Sequence, residues 1–208
     1  MMFFTESVNP GLLRILHQLM NNPGLTDFSL GGGTSLTLRY GHRKSVDLDL
    51  FSTHPFDTAN LIELLKSQLS NLEIVNLTKG SICATADGYK LDFLHHPYPL
   101  IDELLVVDNI RFLSLPDLAA MKINAVTNRG SRKDFIDLLM LHENGIPLAK
   151  SLDYFCDKYG NAGRFLAIRS LGWFGDTEGE PDPVFLNGWT WDSVRKGVES
   201  LVKEFLIQ

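Results

Sequence analysis

Val46-Asp47-Leu48-Asp49-Leu50-Phe51 alternates apolar and acidic residues, which is the period-two pattern of a β-strand. Two residues along a strand rise ~6.7 Å and point to the same face. The Asp47 and Asp49 carboxylates therefore converge on one side, while Leu48 and Leu50 face the other. Acids that close repel and raise each other's pKa. A divalent cation between them removes the penalty, and hard oxygen donors select magnesium or manganese. An edge strand with a wet acidic face accounts for the same alternation. Carried backwards, the alternation puts Ser45 and Arg43 on the acidic face. Arg43 could then partner the acids or a phosphate; a turn arginine beside Gly41-His42 explains it equally.

Upstream, Gly31-Gly32-Gly33-Thr34-Ser35 lies between a short strand, Phe28-Ser29-Leu30, and a helix expected from Thr34 to Tyr40. Glycines let the backbone approach a ligand, and a helix N-terminus offers free N–H groups at the positive end of its dipole. Gly32, Gly33, Thr34 and Ser35 are thus candidates for a triphosphate cradle. The stretch is no P-loop, because no Gly-Lys-Ser/Thr follows at the required spacing. A tight turn alone would also use it. Downstream, Asp92 is an acid inside the apolar strand Tyr89-Lys90-Leu91-Asp92-Phe93-Leu94 and could complete a carboxylate trio. Lys122 and Arg129 are seven apart on one predicted helix, and Asp134 and Asp137 share a face of the next. Amphipathicity explains any one of these by itself.

The surrounding pattern is mixed, then helical. Asn9-Pro10 begins a helix that Asn21-Asn22-Pro23-Gly24 stops, and Asp57-Thr58 begins one to about Ser70. Strands are expected at 73–79, 82–86 and 89–94, the last two joined by an Asp87-Gly88 hairpin, and one more within Leu104–Phe112. From Ser114, paired with Asp117 as in a capping box, the chain reads as helices: to about Thr127, then 132–143, 148–158, 162–171 and 191–207. The expected fold is α+β: an α/β-like half over 1–113 with a mixed sheet and flanking helices, then a helical bundle over 114–208.

The 208 residues are 44% hydrophobic and 21% charged with 17 Gly, an ordinary globular composition. Such a chain buries about 70% of its unfolded surface and needs no staple. Cys83 and Cys156 read as reduced core thiols. No apolar run reaches the ~18 residues of a membrane span. Met1-Met2-Phe3-Phe4-Thr5-Glu6 lacks a basic leader, so a cytoplasmic protein is expected. The net charge of −6 excludes a protein that grips nucleic acid by overall charge. Locally, Arg39, Arg43, Lys44, Lys122, Arg129, Arg132 and Lys133 crowd seven of 19 cations into two windows, which suits a phosphate-bearing ligand.

Three elements in order carry a resemblance: Gly31-Gly32-Gly33-Thr34-Ser35-Leu36; Gly41-His42-Arg43-Lys44-Ser45-Val46-Asp47-Leu48-Asp49-Leu50-Phe51; and Lys122…Arg129…Lys133-Asp134…Asp137-Leu138. Residues 28–142 resemble the AbiEii/AbiGii-type nucleotidyltransferase toxins of the DNA polymerase β-like superfamily. The resemblance implies a minimal nucleotidyltransferase fold, with the helical region completing the active-site cleft. It also implies transfer of NMP from an NTP with Mg2+ or Mn2+. Asp47, Asp49 and Asp92 would bind metal, and Lys122 would contact the triphosphate. Asp137, or alternatively Asp134, would be the late aspartate. Gly32, Gly33, Thr34, Ser35, Arg43, Ser45 and Arg129 would line the nucleotide site. The implied acceptor is the 3′ end of tRNA, with a cognate antitoxin as partner and no membrane association. Two other readings are a protein or small-molecule hydroxyl as acceptor, which the low basicity suits, and a degenerate nucleotide-binding module.

Overall fold

A computed structural model describes residues 3–207 of the chain, so the leader-free reading of Met1 and Met2 lies outside the described residues. Two compact units are present. The first comprises residues up to Arg39, Ser45–Pro99 and Glu103–Leu113. The second comprises Tyr40–Lys44, Leu100–Asp102 and residues from Ser114 onward. The chain thus changes unit at residue 114, and two short segments of the preceding half belong to the helical unit.

The first unit is a seven-stranded mixed sheet. Its elements are α1 (Pro10–Met20), β1 (Ser29–Leu30), α2 (Gly32–Tyr40), β2 (Asp47–Ser52), α3 (Thr58–Gln68), β3 (Glu73–Thr78), β4 (Ser81–Ala86), β5 (Tyr89–His95), β6 (Leu105–Val107) and β7 (Ile110–Phe112). The strand order is β3-β4-β5-β2-β1-β7-β6. The central pair, β2 and β5, is parallel, and β1 runs antiparallel to β2. The Asn9 side chain caps α1 through the Gly11 amide at 2.8 Å, and Asp57 caps α3 through that of Asn60 at 2.9 Å.

One face of this sheet is the core. Leu48 and Leu50 of β2, Leu91 and Phe93 of β5, and Ile82 and Ala84 of β4 are fully buried with Leu12 and Leu16 of α1 and Leu65 of α3. Alternation then turns Asp47, Asp49, Lys90 and Asp92 to the opposite face. The single strand expected within Leu104–Phe112 is a hairpin instead. Asp108 and Asn109 take φ 48° and 63°, the two left-handed residues of a type I′ turn, which Asp and Asn tolerate. Helix α2 begins at Gly32, not Thr34, because the glycine's φ of +61° swings the chain directly out of β1.

The second unit holds α4 (Leu115–Asn128), α5 (Arg132–Glu143), α6 (Leu148–Tyr159), α7 (Arg164–Leu171) and α8 (Trp191–Ile207) around Ile123, Phe135, Leu152, Phe155, Val194 and Val198. Ser114 caps α4 through the Asp117 amide at 3.1 Å. Residues 42–44 run antiparallel to 184–186, with Leu186 donating to His42 and Lys44 to Val184. Trp189 and Trp191 pack against the helical core, whereas Trp173 stands exposed. No helix among the described residues is long and apolar enough to cross a membrane.

Candidate active site

In the first unit, register assembles the acidic face. Asp49 lies directly beside Asp92, and Asp47 beside Lys90, across the parallel β2–β5 pair. Residues in register on neighbouring strands share a face, so three carboxylates and one ammonium form a square of side chains. Cys83 of β4 is the cross-strand partner of Asp92. Burial, then the bond and charge of Asp92, push the Cys83 thiol above its ordinary pKa. Cys83 and Cys156 are both free, and they are half-buried, not core; each has a polar neighbour, Asp92 or Arg164.

Each acid is placed by identifiable contacts. The Thr34 hydroxyl donates to the Asp47 carbonyl and lies 2.7 Å from Ser45 Oγ, whose hydroxyl reaches Asp47 Oδ1 at 3.3 Å. Gly31 donates its amide to the Asp49 carbonyl at 2.9 Å. Gly32 stands against the Asp49 carboxylate: a methyl group at its α-carbon would sit 1.9 Å from Oδ2. Asp92 Oδ2 accepts from Lys90 Nζ at 2.6 Å, while its Oδ1 is buried without a partner among the described residues. The hydrogen bond to Asp92 outweighs partial burial and, with the charges of Asp92 and Asp49, raises the Lys90 pKa.

Thr34 and Ser35, expected to hold phosphates, are fully buried, as is Gly33. The Thr34 hydroxyl is engaged by Asp47 and Ser45, the Ser35 hydroxyl is buried without a partner among the described residues, and Gly32 is half-exposed.

The remaining candidates meet in the helical unit as one buried charge network. Arg43 does not extend the acidic strand face, since β2 begins only at Asp47. Its guanidinium holds Asp137 with two bonds, Nε–Oδ1 and Nη2–Oδ2, both 2.9 Å. His42 Nε2 donates to Asp137 Oδ1 at 2.8 Å, and Lys122 Nζ lies 2.7 Å from Oδ2. The same ammonium reaches Asp134 at 3.1 Å. Arg129, at the C-cap of α4, and Ser131 complete the Asp134 shell at 2.8 and 3.1 Å.

Burial alone would raise the Asp137 pKa, but the charges of Arg43 and Lys122 and the bonds from His42 and Arg43 hold it well below the usual range. Burial likewise works against Asp134, and Lys122 and Arg129 bring it down. Lys122 loses by desolvation and gains more from Asp137 and Asp134, so its pKa rises. Lys122 and Asp137 are therefore ion-paired to each other, and Asp137 has no exposed surface. The acid-rich stretch 176–182 also meets a basic window: Arg132 pairs with Asp182 at 2.6 Å and its amide donates to Glu180.

Two participants carry weak sequence signals. Lys90 sits two residues before Asp92, the same spacing as Asp47 and Asp49, so period two alone places it on the acidic face. His42 lies within the second element of the resemblance, but nothing local foretells its partner, which is 95 residues away.

The family model described as nucleotidyl transferase AbiEii toxin, type IV toxin–antitoxin system, matches residues 14–93 and 90–192. The chain belongs to the AbiEii family. This AbiEii protein is 31% identical over 189 residues to an uncharacterized protein of Aquifex aeolicus, covering 86% of this chain and 88% of that one. Its fold is that of a crystal structure from H. pylori titled as a nucleotidyltransferase, with TM-score 0.58 at 18% identity over 93% of this chain and 91% of that one. The JHP933 protein of Helicobacter pylori superposes with TM-score 0.57 at 18% identity, over 93% and 88%. The AbiEii chain thus has a nucleotidyltransferase-like α+β fold and is a member of a nucleotidyltransferase toxin family.

Proposed function

We propose that this AbiEii-family protein moves NMP from an NTP to the 3′-terminal hydroxyl of tRNA, acting as a toxin countered by an antitoxin. The observation that supports the reading is the placement of Asp47, Asp49 and Asp92 on one face of adjacent strands, beside the opening of α2.

A resident Mg2+ or Mn2+ is part of the reading. Among the described residues no three acid, histidine or cysteine side chains stand close enough to hold a metal ion. Mg2+ commonly takes only one or two protein carboxylates and fills its shell with water and substrate phosphates, so Asp47 and Asp49 fit as its donors. Bound there, it would offset the charge of the triphosphate and polarise the reacting phosphate. The chain's own residues supply positioning. Thr34 and Ser45 orient Asp47, and the absence of a side chain at Gly32 lets the opening of α2 pack directly against the Asp49 carboxylate. Asp92, on the same face, would orient the attacking hydroxyl. His42 and Arg43, anchored by Asp137, hold the chain two residues before Ser45. Chemistry of this kind depends mainly on positioning and electrostatics.

The test incubates the protein with magnesium, total tRNA and each α-labelled NTP, with Asp49→Ala as control. Label in tRNA that disappears in the variant supports the reading; transfer undiminished in the variant overturns it. A protein or small-molecule hydroxyl is the second acceptor reading. Pairing of Arg43, Lys122, Arg129 and Arg132 with acids favours it, since those charges are partly offset by the protein's own carboxylates. Acceptor binding that weakens steeply with salt would point back to RNA.

A further inference from the structure

Lys90 is the one cation within the square of charged side chains on the β2–β5 face. Its stem is long enough to span the rise to Asp92 two residues along the same strand, and Nζ closes on Oδ2 at 2.6 Å. Lys90 itself is about half exposed, 52%, whereas Asp92 is 15% exposed, so the lysine bends over the acid from the open side. Across the register it stands next to Asp47, and Asp92 next to Asp49. Asp92 is enclosed on its other side by the Cys83 thiol.

The four positions are not equivalent. Asp47 Oδ1 receives a long 3.3 Å contact from Ser45, a neutral hydroxyl. Asp92 instead spends one oxygen on a full positive charge, and its other oxygen is enclosed. A cation approaching this face meets the Asp47 and Asp49 carboxylates on β2 and, on β5, an acid already ion-paired to Lys90. A metal would have to displace an ammonium before it could recruit Asp92, and would then face that ammonium at close range.

Resting on the reading of Asp47 and Asp49 as the cation's donors, we propose that Lys90 is a built-in countercharge that withdraws Asp92 from the metal's ligand set. The face then takes a single divalent cation on Asp47 and Asp49. Lys90 acts through Asp92 and is a positioning residue. It also offsets the repulsion among three acids, so the sheet keeps its shape without metal.

The experiment titrates the purified chain with Mn2+ alone, without nucleotide or acceptor, and reads free Mn2+ by electron paramagnetic resonance. The proteins are wild type, Lys90→Met, Lys90→Arg, Lys90→Met/Asp92→Asn and Asp47→Asn, each checked for folding by circular dichroism. One Mn2+ per chain is expected in the wild type, and almost none in Asp47→Asn. Lys90→Met leaves a third, uncompensated carboxylate beside the two donors and should tighten binding on the order of tenfold, the scale of one added negative charge acting on a dication a few ångströms away at the protein surface. Lys90→Arg keeps the pair and should match wild type. The double variant removes the pair as a neutral unit and should bind within about twofold of wild type. Loss of affinity in the double variant, with Asp47→Asn also weak, would make Asp92 a ligand and overturn the role of Lys90 while leaving the site intact. Wild-type affinity in Asp47→Asn would instead overturn the underlying site, and the proposal with it.

Discussion

Gly32 and Asp49 are packed so closely that no side chain fits between them: a Cβ on Gly32 would meet Asp49 Oδ2 at 1.9 Å. Gly32 also holds φ at +61°, a conformation that L side chains rarely adopt. Helix α2 therefore begins against the carboxylate that is central to the candidate site. Gly32→Ala is expected to leave the far-ultraviolet spectrum native while displacing Asp49. A displacement of about 1 Å can cost roughly 100-fold in rate. Nucleotide transfer and Mn2+ affinity should fall together; transfer near the wild-type rate would show that the carboxylate moves aside harmlessly.

Thr34 and Ser45 hold Asp47 by hydrogen bonds. Thr34→Val removes the hydroxyl that serves both Ser45 Oγ and the Asp47 carbonyl. A lost buried hydrogen bond costs about 1 kcal/mol, readable as a lower urea midpoint. Mn2+ affinity should drop several-fold as well, and Thr34→Ser should restore both.

Asp137 is the hub of the helical unit's charge network. Asp137→Asn keeps the shape but leaves the Arg43 guanidinium and Lys122 ammonium short of a countercharge. Removing one partner of a buried pair costs about 3–5 kcal/mol. The exposed Lys66–Glu63 pair, with side chains 56% and 74% exposed, provides the contrast. Glu63→Gln should change stability by less than about 1 kcal/mol. Urea unfolding of the two variants side by side checks both numbers, and equal small effects would show that the network contributes little.

The same network sets the acid limit of stability. Asp137 and Asp134 have pKa values below those of the unfolded chain, about 3.9. Their contribution is fully present above that value and is lost as pH falls through the lower folded-state values. Lys122, shifted upward, contributes fully below its unfolded pKa of about 10.4 and loses that contribution only as pH rises through its folded value. The melting temperature should therefore be level from about pH 5 to pH 9 on this account and drop below about pH 4. Asp134→Asn should lower the plateau and flatten the acid limb; a limb unchanged in that variant would assign acid unfolding to other carboxylates.

Local pattern alone determined a good part of this protein. Period two placed Asp47 and Asp49 on one face of β2, and the Asp87-Gly88 turn joined β4 to β5. Caps at Asn9, Asp57 and Ser114 started α1, α3 and α4. Each of these depends on neighbours within a few residues, which is why the sequence alone carries them. The Asp108-Asn109 hairpin was equally local but lacks glycine, so its turn was hidden inside an apparently single strand. The fate of the charges depended on partners far along the chain. Arg43 reads as a phosphate ligand from its place before β2, yet its carboxylate is Asp137, 94 residues away. Asp92 joins Asp49 only because β2 and β5 pair in parallel at one register, since a shift of one residue would turn Asp92 to the core. Alternation and capping are short-range geometry written in the chain, whereas an ion pair is chosen by whichever buried opposite charge the tertiary structure brings within 3 Å.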